Sequence, residues 1–425
     1  MAKAIEITMQ PQMEELLKQH GQDGLSIYAA KSGRVDILKW AHQQKHIFNL
    51  DEISKHAAIH GHLEIIRYLK LFFFNSWGNL YIEIMNLAAQ YNHLHIIQWI
   101  HENKSNKFRK SFETCSHAAT GGHLNILEWL REHNYPWHDT VFYYAIQNNH
   151  IHIVNWALEH DCPDHNGNAC SAAAIKGDLN ILQWLRSKNC FWNENTCSYA
   201  ASYGHLHVLK WARDNGCPWN YWTCSAAAME GHLDVLKWAH ENGCPWNESV
   251  CEFAAENNHL HILQWARANG CPWDQRTTSG AAFNGHLHIL QWAHYNECPW
   301  NETTCENAAL FGHLHVLQWA RQNGCPWNEK VCESAVLFNH LHILKWALEH
   351  EAPCDHENFV LFNIQELEDF DHINIMDWLH DKYGYYEKTN LKKYITMNMQ
   401  DASIDQKEAY GIFAEKLMTN PDLML

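Results

Sequence analysis

The sequence predicts an all-α solenoid of about thirteen short helix–turn–helix units. Two observations carry this. A Trp closing an apolar run recurs at Trp184, Trp211, Trp238, Trp265, Trp292, Trp319 and Trp346, always 27 residues apart. Each interval also divides into two short amphipathic stretches, and neither could hide its apolar face alone, so neighbouring units must stack. Upstream, the marker position holds Trp40, Tyr68, Trp99, Trp129 and Trp156 at spacings of 27 to 31, and a degenerate last copy ends at Trp378.

The stretch from Ser249 to Gly270 shows the elements of one unit in order. Ser249-Val-Cys-Glu252 has the form of a capping box, the Ser hydroxyl accepting from the Glu252 amide while the Glu side chain reaches back. Cys251, Ala254 and Ala255 give the first helix a narrow apolar face suited to close packing, and Asn257-Asn258 ends it. The second helix starts at His259, with Leu260, Ile262, Leu263, Trp265 and Ala266 at helical spacing. Asn269-Gly270 stops it with a residue suited to the left-handed conformation. Cys271-Pro-Trp273 is then a tight link, where Pro272 bars helix continuation. At the ends, residues 1–24 read as an N-terminal capping helix, 25–383 as the repeat solenoid, and 384–425 as a C-terminal capping segment and tail. Two features depart from the period: the apolar Leu71-Phe-Phe-Phe74 and a basic loop from Asn103 to Lys110.

Composition narrows the function classes. The 425 residues are 46% hydrophobic, enough for a buried core. A formal charge of -17 opposes polyphosphate near neutral pH, so nucleic acid is not the expected partner; the 34 His could offset that charge only in acid. No run approaches ~18 apolar residues, so no membrane span is expected. The first residues lack the basic start and apolar run of a secretory signal, which points to the cytoplasm, with the nucleus the alternative. Fifteen Cys in such a chain make a poor disulfide scaffold, and a monomer is expected.

The pattern Ala-Ala-x-x-Gly-His-Leu-x-Val-Leu-x-Trp-x-x-x-x-Gly-Cys-Pro-Trp-Asn resembles ankyrin repeats. Ala227, Ala228, Gly231, His232, Leu233, Val235, Leu236, Gly243 and Asn247 fall on the family's positions. The resemblance covers roughly residues 25 to 383. It departs in length, 27 residues against the family's usual 33, and all six missing residues lie where the β-hairpin finger would be. The fingers are therefore expected to be short or absent. Cys224, Cys251, Cys305 and Cys332 stand where the family has a buried Leu. This short Gly-Cys-Pro-Trp type is similar to arrays carried by large DNA viruses of amoebae, which implies a viral protein acting on a host.

The period absorbs most residues that look like chemistry. The Cys form two ladders, one after the stop glycine (Cys217, Cys244, Cys271, Cys325) and one in the first helix (Cys197, Cys224, Cys251, Cys305), with neither a Cys-x-x-Cys nor a matching His pair for zinc. They read as packing residues, with no metal and no cofactor. The Trp occupy core positions of the resemblance. His205, His232, His259, His286, His313 and His340 open the second helix in a capping or inter-repeat role. His207, His261, His288, His315 and His342, two residues on, should lie on a different face and line a solvated surface. No one-off Ser, Cys, His or carboxylate constellation appears, so no enzyme is expected. Asn247-Glu-Ser and Asn301-Glu-Thr match glycosylation sequons but read as helix-start chemistry.

Positions that vary between near-identical repeats remain available for function. In the resemblance, the two residues after the Ala-Ala pair face the concave surface and touch the partner. Here they include Tyr91, Tyr203, Met229, Phe283, Leu310, Phe311, Leu337 and Phe338, with Phe283, Phe311 and Phe338 forming an apolar strip over three successive repeats. The competing expectation is that these side chains pack on the next repeat in place of the missing fingers. The functional expectation is a non-enzymatic scaffold binding a partner protein on the concave face. The alternative is a substrate adaptor for a ubiquitin ligase using the C-terminal segment, although neither end shows a convincing Leu-Pro-type F-box core.

Overall fold

The computed structural model describes residues 2–72, 77–103, 109–164 and 167–354, together with Ile375 and Trp378. The chain divides into two compact units, Met1–Trp219 and Asn220–Leu425. Unit 1 holds α1 (Ala2–Ser32), α2 (Val35–Gln43), α3 (Leu50–Ile59), α4 (Leu63–Phe72), α5 (Trp77–Gln90), α6 (Leu94–Asn103), α7 (Glu113–Gly121), α8 (Leu124–Glu132), α9 (Thr140–Gln147), α10 (Ile151–Glu159), α11 (Asn168–Lys176), α12 (Leu179–Ser187), α13 (Glu194–Ser202) and α14 (Leu206–Asp214). Unit 2 holds α15 (Tyr221–Met229), α16 (Leu233–Glu241), α17 (Ser249–Glu256), α18 (Leu260–Ala268), α19 (Gln275–Phe283), α20 (Leu287–Tyr295), α21 (Glu302–Leu310), α22 (Leu314–Gln322), α23 (Lys330–Leu337) and α24 (Leu341–Glu349). Odd and even helices pair as first and second helix of a repeat. Among the described residues there is no strand, and links such as Asn215–Asn220 leave no room for a finger. α1 is broken at Gly21 (φ 69°, ψ -179°), so its latter part serves as the first helix of the first pair. The C-terminal segment and most of the basic loop lie outside the described residues.

From α13 onward each first helix starts on an Asx cap. The side-chain oxygens of Asn193, Asn220, Asp274 and Asn301 accept from the amides of Asn195, Trp222, Arg276 and Thr303 at 2.9–3.2 Å. The same holds for the repeat expected to use a capping box. Asn247 Oδ1 accepts from the Ser249 amide at 3.2 Å, while the Glu252 amide goes to the Glu248 carbonyl. Ser249 is a donor inside the first turn, too late in the chain to act as the cap. The sequon asparagines Asn247 and Asn301 are thus helix starts.

The first helices are small-sided: Ala254, Ala255, Cys251 and their equivalents are wholly buried. Within each unit these helices pack closely from one repeat to the next, while the bulkier second helices meet their neighbours far less. A Schellman turn ends each first helix, with His259 N–H returning to the Ala254 carbonyl at 2.8 Å across Asn258 in the left-handed region (φ 67°).

Where a His opens the second helix, it reaches back one repeat. His205, His259, His313 and His340 Nε2 lie 3.0–3.1 Å from the carbonyls of Ile175, Met229, Phe283 and Leu310. Burial holds His259, His313 and His340 below the usual imidazole pKa, partly offset by these hydrogen bonds. The second His ladder is not a plain solvated face. His207 and His315 are exposed, yet their Nε2 atoms lie 3.1 and 3.2 Å from the Gly177 and Gly285 carbonyls. The rings of His205 and His207 sit 6.1 Å apart. The first His precedes the helix, so helical spacing does not separate the two.

The marker Trp of the second helices, Trp184 to Trp346, are half-buried and not wholly enclosed in the core. Each linker Trp meets the next repeat's marker edge-on: Trp246 on Trp265 and Trp273 on Trp292, both at 5.9 Å, and Trp300 on Trp319 at 6.0 Å. A cation covers its other face. Arg267 and Arg321 lie 4.1 and 4.2 Å over Trp273 and Trp327 and donate to the Cys271 and Cys325 carbonyls; His240 and His294 stack on Trp246 and Trp300 instead.

The ladder cysteines after the stop glycine are buried, and their thiols donate to the capping residue's carbonyl: Cys271 to Asn247 at 3.3 Å and Cys325 to Asn301 at 3.4 Å. The expectation of no disulfide fails once. Cys332 and Cys354 are bonded, because Ala352 takes the ladder position there and Cys354, two residues on, meets Cys332.

Candidate interaction surface

The first helices carry the residues that vary between repeats, and in unit 2 their C-terminal ends form the apolar strip. Phe311, Leu337 and Phe338 are 38%, 45% and 49% exposed. Phe283 is half-buried because the Phe311 ring lies on it, centroids 3.9 Å apart. Asn284 Nδ2 reaches the Glu256 carbonyl at 2.8 Å in the same 28-residue register. Met229 and Leu310 are half-buried, and their carbonyls accept from the histidine ladder. Phe283 thus packs against the next repeat, whereas Leu337 and both second residues, Phe311 and Phe338, keep more than a third of their surface open to solvent.

In unit 1, Tyr91 and Tyr203 are 45% and 53% exposed but end α5 and α13, with the ends of α7, α9 and α11 between them. They do not join into one strip. A different cluster forms, which the sequence reading missed. Tyr143 and Tyr144 of α9 meet at 5.2 Å, and burial together with the nearby Tyr203, Tyr144 and Tyr199 hydroxyls raises the pKa of Tyr143. The intervening α11 offers only Ser171 and Ala172 at that level, leaving room for these rings. In unit 2, Trp222 stands edge-on to Phe253 at 5.5 Å. The signal was present in the sequence: residues two, five and six places after the cap also vary, and they share a helix face with the pairs that were read.

Charge surrounds the unit 2 strip. On α17, α19, α21, α23 and their caps, Glu248, Glu252, Glu256, Asp274, Glu302, Glu306, Glu329 and Glu333 face two cations, Arg276 and Lys330. Arg276 bridges Glu248 (2.7 Å), Glu252 (3.2 Å) and Asp274 (3.0 Å), and Lys330 reaches Glu306 at 3.7 Å. Burial raises the Glu252 pKa, and the neighbouring Asp274, Glu256 and Glu248 add to it. Among the described residues Glu256, Glu302, Glu329 and Glu333 form no ion pair.

Among the described residues no group of three or more His, Cys, Asp or Glu gathers to hold a metal, and no helix is long and apolar enough to cross a membrane. A cleft of about 620 Å³ between α2 and α4, lined by residues including His42, Arg67, Tyr68 and Phe72, opens to solvent in unit 1.

Comparison with known proteins agrees with the repeat. Residues 84–169 and 116–196 match a model of three ankyrin repeats, and 224–267 a model of many copies. No curated protein sequence matches the chain. Among solved structures, the maize pentatricopeptide repeat protein PPR10 is similar at 10% identity and a TM-score of 0.34, covering 98% of this chain and 71% of that one. The same protein in complex with an 18-nt psaJ RNA element gives 9% identity and a TM-score of 0.35, with 92% and 73% covered. Matched over residues 84–196 of unit 1 and 224–267 of unit 2, the chain carries ankyrin repeats in both units.

Proposed function

We propose that the chain is a non-enzymatic scaffold that binds a partner protein on the first-helix row of unit 2, the concave side, and that the partner presents a basic amphipathic segment. The observation that carries this is the exposed strip of Phe311, Leu337 and Phe338 beside eight carboxylates and only two cations. Aromatic anchors supply a large share of interface energy, and the surplus carboxylates attract and orient a cationic segment. Arg276 is already engaged by three acids, which leaves Glu256, Glu302, Glu329 and Glu333 for the partner. The repeats hold these side chains in place beforehand, so binding loses little ordering entropy.

The test uses a fluorescent helical peptide with Leu on one face and Lys on the other. Anisotropy should show saturable binding that weakens as salt rises. It should be lost in the Phe311→Ser/Phe338→Ser variant while far-ultraviolet circular dichroism is unchanged. Binding that survives both substitutions, or the absence of binding to the wild-type chain, would overturn the proposal.

A further inference from the structure

The two cysteine ladders meet. Counting from the capping residue, a repeat carries Cys at its fifth and twenty-fifth positions, twenty residues apart, in Cys170/Cys190, Cys197/Cys217, Cys224/Cys244, Cys251/Cys271 and Cys305/Cys325. The turn that returns the second helix along the first brings these two positions together in the repeats of α15–α16, α17–α18 and α21–α22. The thiols of Cys224 and Cys244, of Cys251 and Cys271, and of Cys305 and Cys325 hydrogen-bond each other, and Cys190 is the side chain that most influences the Cys170 thiol. In the last described repeat, Cys332 at the fifth position is already bonded to Cys354, with Cα atoms 6.0 Å apart.

We propose that these five pairs are disulfide sites, each able to close a covalent staple across one helix pair of the stack. The oxidant is a low-molecular-weight disulfide. A thiolate of the pair attacks one sulfur of the oxidant, breaking its S–S bond and releasing one small thiol. The second thiolate then displaces the other small thiol from the mixed disulfide. Two protein thiols and one small disulfide become one protein disulfide and two small thiols; two electrons pass to the oxidant, and the two protons leave on the released thiols. The staple joins the start of the first helix to the link after the second, so it spans every element of the repeat.

Burial decides when this happens. The paired sulfurs are at most 6% exposed, and desolvation holds thiols such as Cys170 above their ordinary pKa. The folded stack is closed to the oxidant, and a pair reacts when its repeat opens. Once bonded, that repeat no longer opens freely, so oxidising conditions convert transient opening into a locked array.

The sequence supplies its own controls. Twenty residues before Cys298 and Cys162 stand Thr278 and Phe142, and twenty after Cys115 stands Tyr135, so these three lack a Cys at the partner position. The test treats the reduced full chain with oxidised glutathione, with and without a urea concentration that populates open repeats. After dilution and removal of the oxidant, free thiols are blocked with N-ethylmaleimide in concentrated denaturant and non-reduced peptides are mapped by mass spectrometry. The expected result is cross-linked peptides joining the five pairs, more of them after the urea step, with Cys115, Cys162 and Cys298 alkylated. The oxidised chain should also unfold at higher urea and revert on adding dithiothreitol. Predominantly other pairings, glutathione adducts without cross-links, or no oxidation in either arm would each overturn the proposal. A Cys305→Ser/Cys325→Ser variant should lose one cross-link and keep the other four.

Discussion

Replacing Gly285 with Ala tests how one repeat is locked to the next. Gly285 sits at φ +73°, and a Cβ there would lie 2.7 Å from His313 Nδ1 and 2.9 Å from its Cε1. Two effects combine. The left-handed backbone costs a residue with a Cβ about 1–2 kcal/mol. The His313 ring must also move, which breaks its 3.0 Å hydrogen bond to the Phe283 carbonyl at a cost of about 1 kcal/mol. Gly285→Ala should therefore destabilise by roughly 2–3 kcal/mol, and His313→Ala by roughly 1 kcal/mol. The double variant should be no worse than Gly285→Ala alone, because that substitution has already removed the hydrogen bond. Urea titrations of the four proteins, followed by circular dichroism, give a cycle with sub-additivity of about 1 kcal/mol. Strict additivity would refute the locking role of the Gly–His contact.

Further predictions follow from the other recurring contacts. Asn301→Ala removes the cap of α21 and should cost about 1 kcal/mol in the same titration, with Asn301→Asp close to wild type. Arg321→Lys should destabilise as Arg321→Met does, because a Lys cannot both cover Trp327 and donate in the plane of the Cys325 carbonyl. The pH dependence has an unusual sign for His. Burial lowers the folded-state pKa of His93, His123, His259, His286, His313 and His340 below 6.5. The unfolded chain then takes up protons first, so stability is full above about 6.5 and falls as pH drops from there toward the lowered values. Thermal unfolding at pH 7.5 and at pH 5.5 should show the lower midpoint in acid, and a higher one would contradict the assignment.

The fold was legible because a stack must present the same apolar face at every step, which prints one period on Trp, Ala, Leu and Cys alike. The errors were local. Ser249 reads as a cap in isolation, but its place is filled elsewhere by Trp222 and Arg276, which cannot share that role; the Asx two residues earlier can. The two histidines were separated by a helical rule that does not reach a residue preceding the helix. The Cys pairs depend on how the second helix returns along the first, a long-range fact that spacing of twenty does not reveal. The strip was legible at Phe311, Leu337 and Phe338, where an exposed apolar residue breaks the repeat. The tyrosines of α9 and α13 were not, since their neighbourhood depends on the small residues of α11 between them.

Side-chain footprinting by hydroxyl radicals, with and without the Leu/Lys peptide, tests the binding face most directly. Phe311 and Phe338 report on the first-helix row, and Tyr295, 71% exposed at the end of α20, reports on the second-helix side. The account predicts that the peptide protects Phe311 and Phe338 and leaves Tyr295 as reactive as before. Protection of Tyr295 with Phe311 and Phe338 unchanged would contradict it.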